Sequence, residues 1–144
     1  MKQNYNSKRS DFRANENHVK INQPLSQEYQ DYAKIFLEEG IAYQTAKSMG
    51  DIPPHQLRKI LDPIKEAVAM IKKDPNQFNE ARNKLYNVVP ITAYNTGRNP
   101  KIKPLYYFVK NHISDITIQD NDDIYILDKL FTSVIAYHKF LKGK

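Results

Sequence analysis

The feature that most constrains the fold is an amphipathic stretch between Pro54 and Lys73. Its apolar residues recur with the period of an α-helix, at Leu57, Ile60, Leu61, Ile64, Val68 and Ile71. Pro63 lies inside the stretch, where a proline costs an ordinary helix about 3 kcal/mol. Either the helix kinks at Asp62, or it restarts there with Pro63 in its first turn. Because the stripe keeps its phase across the proline, the sequence favours a kinked but continuous helix.

Five further segments show a helical pattern of apolar residues. They cover residues 26–40, 42–48, 76–92, 104–116 and 124–141. Ser26 is expected to cap the first of them and Gly40 to stop it. Pro90 is expected to kink or end the third, and carboxylates of residues 120–123 to cap the last. Because no segment alternates with period two, the sequence predicts an all-α fold, a compact bundle of five to six helices.

The composition indicates one helical domain preceded by a polar arm. Residues 1–25 are rich in Asn, Gln, Lys and Arg, so they predict a disordered basic arm, and residues 26–144 form the domain. The chain has no cysteine, which excludes disulfides and thiolate zinc sites. It shows no secretory signal and no apolar run near the ~20 residues that span a bilayer. We therefore expect a soluble, cytoplasmic protein without a membrane partner.

A basic run from Ala81 to Ser114 is the strongest functional signal. It contains no aspartate or glutamate, in a chain of formal net charge +6. The cations of this run are Arg82, Lys84, Arg98, Lys101, Lys103 and Lys110. Tyrosines are interleaved with them, and aromatic rings can stack on bases while cations bind phosphate. The run therefore predicts a nucleic-acid surface, unless acids distant in sequence lie close to it in space.

Within the run, Tyr94 to Pro100 has the glycine and proline content of a loop. Gly97 could supply a positive φ and place Arg98 at the tip, where a guanidinium suits phosphate. An ordinary turn with a solvent-facing arginine fits the same residues.

The sequence offers no catalytic constellation. Four histidines, His18, His55, His112 and His138, show no metal-ligand or nuclease spacing. With only four glycines and none in a phosphate-binding motif, a P-loop is excluded. We therefore predict a binding protein that is not an enzyme and needs no cofactor.

Three pieces together resemble a known family. They are Ile52-Pro-Pro-His-Gln-Leu-Arg-Lys-Ile-Leu61, Ala93-Tyr-Asn-Thr-Gly-Arg98 and Ile135-Ala-Tyr-His-Lys-Phe-Leu-Lys-Gly-Lys144. Their order and spacing resemble the small subunit of type III-A CRISPR effector complexes, over roughly residues 29–144. The resemblance implies a non-catalytic all-α subunit for antiviral defence. It also implies stacking in several copies along a ribonucleoprotein filament, beside the guide RNA and target RNA, with the backbone and large subunits as further partners and a dimer as a possible form.

The resemblance and the charge argument together predict the RNA-binding residues. Arg58, Lys59, Arg98 and Lys139 match basic positions of the family, and the basic run supplies the others. The predicted set is Arg58, Lys59, Arg82, Lys84, Arg98, Lys101, Lys103, Lys110 and Lys139. Two other interpretations stay open: a free-standing basic helical DNA-binding regulator, and a ribonuclease that uses His112 or His138.

Overall fold

The computed structural model describes residues 20–143, and within them the chain is helical without a strand. Its helices are α1 Leu25–Glu28, α2 Tyr32–Phe36, α3 Ile41–Ser48, α4 Pro54–Lys73, α5 Phe78–Arg98, α6 Lys103–His112 and α7 Asn121–Lys142. Short 3-10 turns, Pro75–Gln77 and Pro100–Ile102, precede α5 and α6. The predicted all-α bundle is confirmed, with five helices of eight or more residues around one core. The expected disordered arm falls mostly on residues 1–19, which lie outside the described residues.

Helix α4 runs without interruption from Pro54 to Lys73, through Pro63. The stripe predicted from the sequence is its inner face: Leu57, Ile60, Ile64, Val68 and Ile71 are buried, and Leu61 packs at the core's edge. This face contacts α5 on one side and α7 on the other. A restart at Asp62 is therefore wrong, because burial of the stripe on both sides of Pro63 outweighs the missing backbone hydrogen bond.

Helix α7 organises the bundle by packing against α1, α2, α3 and α4. Its start is capped as the sequence predicted: the Asp120 side chain accepts from the backbone N–H of Asp122, and the two residues Asp120 and Asp123 form a capping box. The carboxylate of Asp123 is fully buried. It accepts backbone N–H groups of Ser26 at 2.8 Å, Gln119 at 2.8 Å and Asp120 at 3.0 Å. One side chain therefore joins the start of α1 to the start of α7.

The first predicted helix differs from the structure. Pro24, and not Ser26, is the residue before α1, and the helix breaks at Tyr29 before Asp31 caps α2. The Ser26 N–H is already bound by Asp123. Tyr29 turns into the core, whereas Leu37 is 62% exposed, so the apparent apolar stripe does not form one buried face.

Gly40 starts α3 instead of stopping the preceding helix. A Cβ atom at this position would lie 2.5 Å from the carbonyl oxygen of Lys34 and 2.8 Å from that of Leu37. Glycine is required here by close packing of the backbone, while the positive φ of 72° falls on Glu39. The predicted helix over residues 42–48 is confirmed as α3.

The predicted loop from Tyr94 to Pro100 is also wrong, because α5 continues through Pro90 to Arg98. Pro90 is solvent-exposed. After it, the Thr92 hydroxyl donates to the Val88 carbonyl at 2.7 Å, and the Thr96 hydroxyl donates to the Thr92 carbonyl at 2.8 Å. Thr92 is itself buried, which anchors the helix beyond the proline. No glycine of the described residues has a positive φ, so Gly97 does not form the expected turn.

Replacing Gly97 by alanine is expected to raise the free energy of unfolding by about 0.5–1 kcal/mol. Gly97 is helical, and nothing lies within 4 Å of the position that a Cβ atom would take. Alanine therefore restricts the unfolded chain without a clash. Thermal unfolding followed by circular dichroism measures the change, and a lower melting temperature would contradict the helical assignment.

Candidate nucleic-acid interface

The corner between α5 and α6 carries the densest group of exposed cations in the basic run. Arg98 ends α5, Lys101 lies in the turn, and Lys103 starts α6; all three are exposed. Ile102 is buried beneath them, and the Asn99 side chain accepts the Lys101 N–H at 3.3 Å. The buried anchor and the capped turn fix the backbone, so the three charges are held within six consecutive residues at this corner. We call Arg98, Lys101 and Lys103 the basic corner.

Aromatic rings lie beside these cations. The Arg98 guanidinium lies over the ring of Tyr94 at 5.7 Å, and Tyr94 is 65% exposed. On α6, the Lys110 ammonium lies 5.9 Å from the ring of Tyr106 and 5.8 Å from that of Tyr107. Such cation–ring pairs present both a charge for phosphate and a π-face for a base.

Acidic neighbours do not neutralise the basic corner in the described part of the chain. The two ion pairs found in residues 20–143 are Lys65 to Asp128 at 2.8 Å and Lys84 to Glu66 at 3.1 Å. One acid, Asp51, lines a small cleft together with Lys101 but forms no ion pair with it. The alternative that distant acids cover the basic run therefore applies to Lys84 and not to the corner.

The other predicted residues are spread over the surface. Arg58 and Lys59 are exposed on the first half of α4, and Lys139 is exposed near the end of α7. Arg82 and Lys84 lie near the start of α5, about 21–24 Å along the helix from Arg98. The structure thus brings together the three corner residues and places Lys110 on the helix that follows. Arg82 and Lys84 lie at the other end of α5, and the remaining three are on α4 and α7.

Arg82 occupies a different environment from the corner. Its guanidinium lies between the rings of Phe78, at 5.1 Å, and Tyr86, at 5.5 Å, and it donates to Asn79 at 3.4 Å. Its Nε is buried and has no hydrogen-bond partner among the described residues. This arginine covers apolar surface as well as carrying charge.

Lys47 on α3 is a further cation near the corner that the sequence did not single out. It lines the same small cleft as Lys101, although it precedes the basic run by more than thirty residues. The cleft arises because the end of α3 lies beside the start of α6. No local pattern in the sequence signals this long-range contact.

His112 is packed and not available for acid–base chemistry. The Tyr29 hydroxyl donates to its Nε2 at 2.6 Å, and its Nδ1 donates to the Phe108 carbonyl at 2.9 Å. Burial lowers the pKa of His112 to about 4, although the Phe108 hydrogen bond acts in the opposite direction. Burial also raises the pKa of the Tyr29 phenol well above its usual range. At neutral pH, then, a neutral imidazole accepts from a protonated phenol.

The other histidines of residues 20–143 lie in different environments, one buried and one exposed. His138 is buried, and its Nε2 donates to the Met49 carbonyl at 3.0 Å. His55 is exposed on the first turn of α4, and His18 lies outside the described residues. No cluster of three potential metal ligands exists in the described part.

The described helices include none that is long and apolar enough to cross a bilayer. Comparison with known proteins gave one family: a model of the Csm2 Type III-A family matches residues 30–144. No curated protein and no solved structure matched the chain. The matched region covers every helix from α2 to α7, including the basic corner. The chain therefore belongs to the Csm2 family, the small subunit of type III-A CRISPR Csm complexes.

Proposed function

We propose that this subunit is a non-catalytic, cytoplasmic structural protein that binds the guide and target RNA backbone without reading sequence. The observation that carries the proposal is the basic corner: three exposed cations without acidic partners in the described residues, next to a ring–guanidinium pair. Lysine and arginine contacts to phosphate position a strand but do not read bases. In an RNA-guided complex, base pairing already reads the sequence.

The two rival functions receive less support from the same geometry. A regulator that inserts a helix in the DNA major groove needs a polar, exposed recognition helix. Helix α6 follows the basic corner but buries Leu105, Phe108, Val109, Asn111 and His112. A ribonuclease needs a positioned acid and base, whereas His112 and His138 both hold structural hydrogen bonds.

Reversing charge at the corner is expected to weaken RNA binding while leaving the fold intact. The double variant Lys101→Glu/Lys103→Glu should lower affinity for single-stranded RNA at low salt. Its slope of log K against log salt should become shallower by about 0.7 for each phosphate that the variant no longer neutralises. The measurement is fluorescence anisotropy of labelled mixed-sequence RNA, with circular dichroism as a check on helicity.

Lys72→Glu/Lys73→Glu is the matched control for this experiment. These two lysines are also exposed and close together, at the end of α4, and their reversal changes net charge equally. If both double variants lose affinity to the same extent, net charge and not the corner governs binding. If neither loses affinity, the RNA face lies elsewhere.

We also propose that copies of the subunit stack along the complex through exposed apolar side chains. Ile91 is 57% exposed and Tyr94 65% exposed on the same side of α5, three residues apart. Aromatic side chains are enriched in the cores of protein–protein interfaces, and this pair is the contact that we propose. Sedimentation of wild type and Ile91→Lys compares their self-association, and equal association would place the stacking surface elsewhere.

A further inference from the structure

A groove of about 950 Å³ lies between α3 and α6, and it extends to Pro104, the residue after Lys103 of the basic corner. Gln44 and Lys47 line it from α3, Asn111 from α6, and Glu39 from the segment before α3. Next to Lys47 it adjoins a smaller cleft of about 180 Å³, which Lys101 lines. Sites for small molecules have volumes of roughly 300–1,000 Å³, so this groove has room for a nucleotide.

The groove has an acidic part and a basic part. Glu39 precedes α3 and Lys47 lies in its last turn, roughly 12 Å further along the helix. Glu28 and Lys34 also line the groove, and the cleft beside Lys47 is lined by Lys101 and by the acid Asp51. The Glu39 carboxylate accepts from Gln44 Nε2 at 3.0 Å, which leaves further lone pairs on its oxygens. A ligand that fits this arrangement has an anionic group at one end and hydrogen-bond donors at the other.

The backbone fixes the acidic region. Glu39 adopts a φ of 72°, a left-handed conformation that is uncommon for a residue other than glycine. Gly40 follows it and packs directly on the carbonyl groups of Lys34 and Leu37. Strained residues persist where the surrounding structure holds them, often at binding sites. Here the hydrogen bond from Gln44 holds the Glu39 carboxylate at the groove.

We propose that this groove binds one nucleotide whose base carries an exocyclic amino group, with its phosphate at Lys47 and Lys101 and the amino group toward Glu39. Lysine binds phosphate as a point charge, and a carboxylate accepts from an amino group such as that of cytosine. Uracil has no such donor and is the disfavoured base. The site is proposed for a free nucleotide, and it does not rest on the proposed function.

The test uses the full chain and free nucleotides. Cytidine 5′-monophosphate is expected to bind saturably with a Kd on the order of 1 mM, and about fivefold more tightly than uridine 5′-monophosphate. Ligand-detected NMR measures both, with inorganic phosphate as the third probe. No saturation by the cytidine nucleotide, or equal binding of phosphate alone, overturns the proposal.

Two substitutions test which residue binds the phosphate and which binds the base. Lys47→Met should weaken both nucleotides several-fold, while Lys72→Met, an exposed lysine outside the groove, should weaken neither. Glu39→Gln should reduce the preference for cytidine over uridine. If Lys47→Met and Lys72→Met act alike, or if Glu39→Gln leaves the preference unchanged, the assignment fails. Both groove residues are exposed, so neither change alters the core.

Failure of this inference can be told from failure of the proposed function. Nucleotide binding by the wild-type protein, with unchanged RNA affinity in the Lys101→Glu/Lys103→Glu variant, would support the groove and reject the corner. Reduced RNA affinity in that variant, with no nucleotide binding by the wild-type protein, would support the corner and reject the groove.

Discussion

Asp123→Ala is expected to lower the free energy of unfolding by about 3 kcal/mol or more. The Asp123 carboxylate is fully buried and accepts three backbone N–H groups, at 2.8, 2.8 and 3.0 Å. Hydrogen bonds to a charged group contribute more than neutral ones, and the variant leaves three partly buried hydrogen bonds without their acceptor. Urea denaturation followed by circular dichroism measures the loss.

Asp122→Ala provides the control within the same helical turn. Asp122 is exposed, and in residues 20–143 its side chain accepts none of the hydrogen bonds described at the start of α7. Its removal should cost about 0.5 kcal/mol, the value of a carboxylate near a helix N-terminus. Equal losses for the two variants would show that charge at the helix start, and not the link to α1, explains the stability.

The elements that the sequence predicted well are those whose pattern is local. The apolar stripe of α4 and the acidic cap of α7 both depend on residues within one or two helical turns of each other. Each of them was confirmed. Proline was a less reliable signal of a helix end, because Pro63 and Pro90 both lie inside continuous helices. Tertiary burial on both sides of each proline outweighs its local cost.

The errors arose where a distant residue decides the local structure. Ser26 lies inside the first turn of α1, where Asp123, 97 positions away, accepts its N–H; this capping contact was not predicted. Tyr29 leaves the expected stripe to meet His112, 83 positions away. Neither interaction has a local signature, and both change the path of the chain before α3.

The candidate interface was predictable in part for the same reason. Arg98, Lys101 and Lys103 are close in sequence, so a short turn suffices to bring them together. The pairing of Lys84 with Glu66 depends on how α4 and α5 pack. The rings beside Arg82 come from its own helix, four residues to either side. The composition of the basic run could not separate these residues from the corner.

Acid is expected to destabilise the protein through His112. The pKa of this imidazole is lowered to about 4 in the folded state, against an ordinary value of 6.5. Between these two pH values the unfolded chain binds more protons than the folded one, so the free energy of unfolding falls as pH decreases. The stability that neutral His112 contributes is fully present above pH 6.5 and is lost by about pH 4, a change of about 3 kcal/mol in the free energy of unfolding.

His112→Gln isolates this contribution from that of the carboxylates, which also titrate in acid. A glutamine amide can accept from the Tyr29 hydroxyl and donate to the Phe108 carbonyl, as the neutral imidazole does. Urea denaturation at a series of pH values should therefore give a flatter curve for the variant between pH 6.5 and 4. His55→Gln removes an exposed histidine from α4 and should leave the wild-type curve in place. Parallel curves for wild type and His112→Gln would show that the buried imidazole does not control acid stability, because a group that titrates alike in both states cannot change the slope.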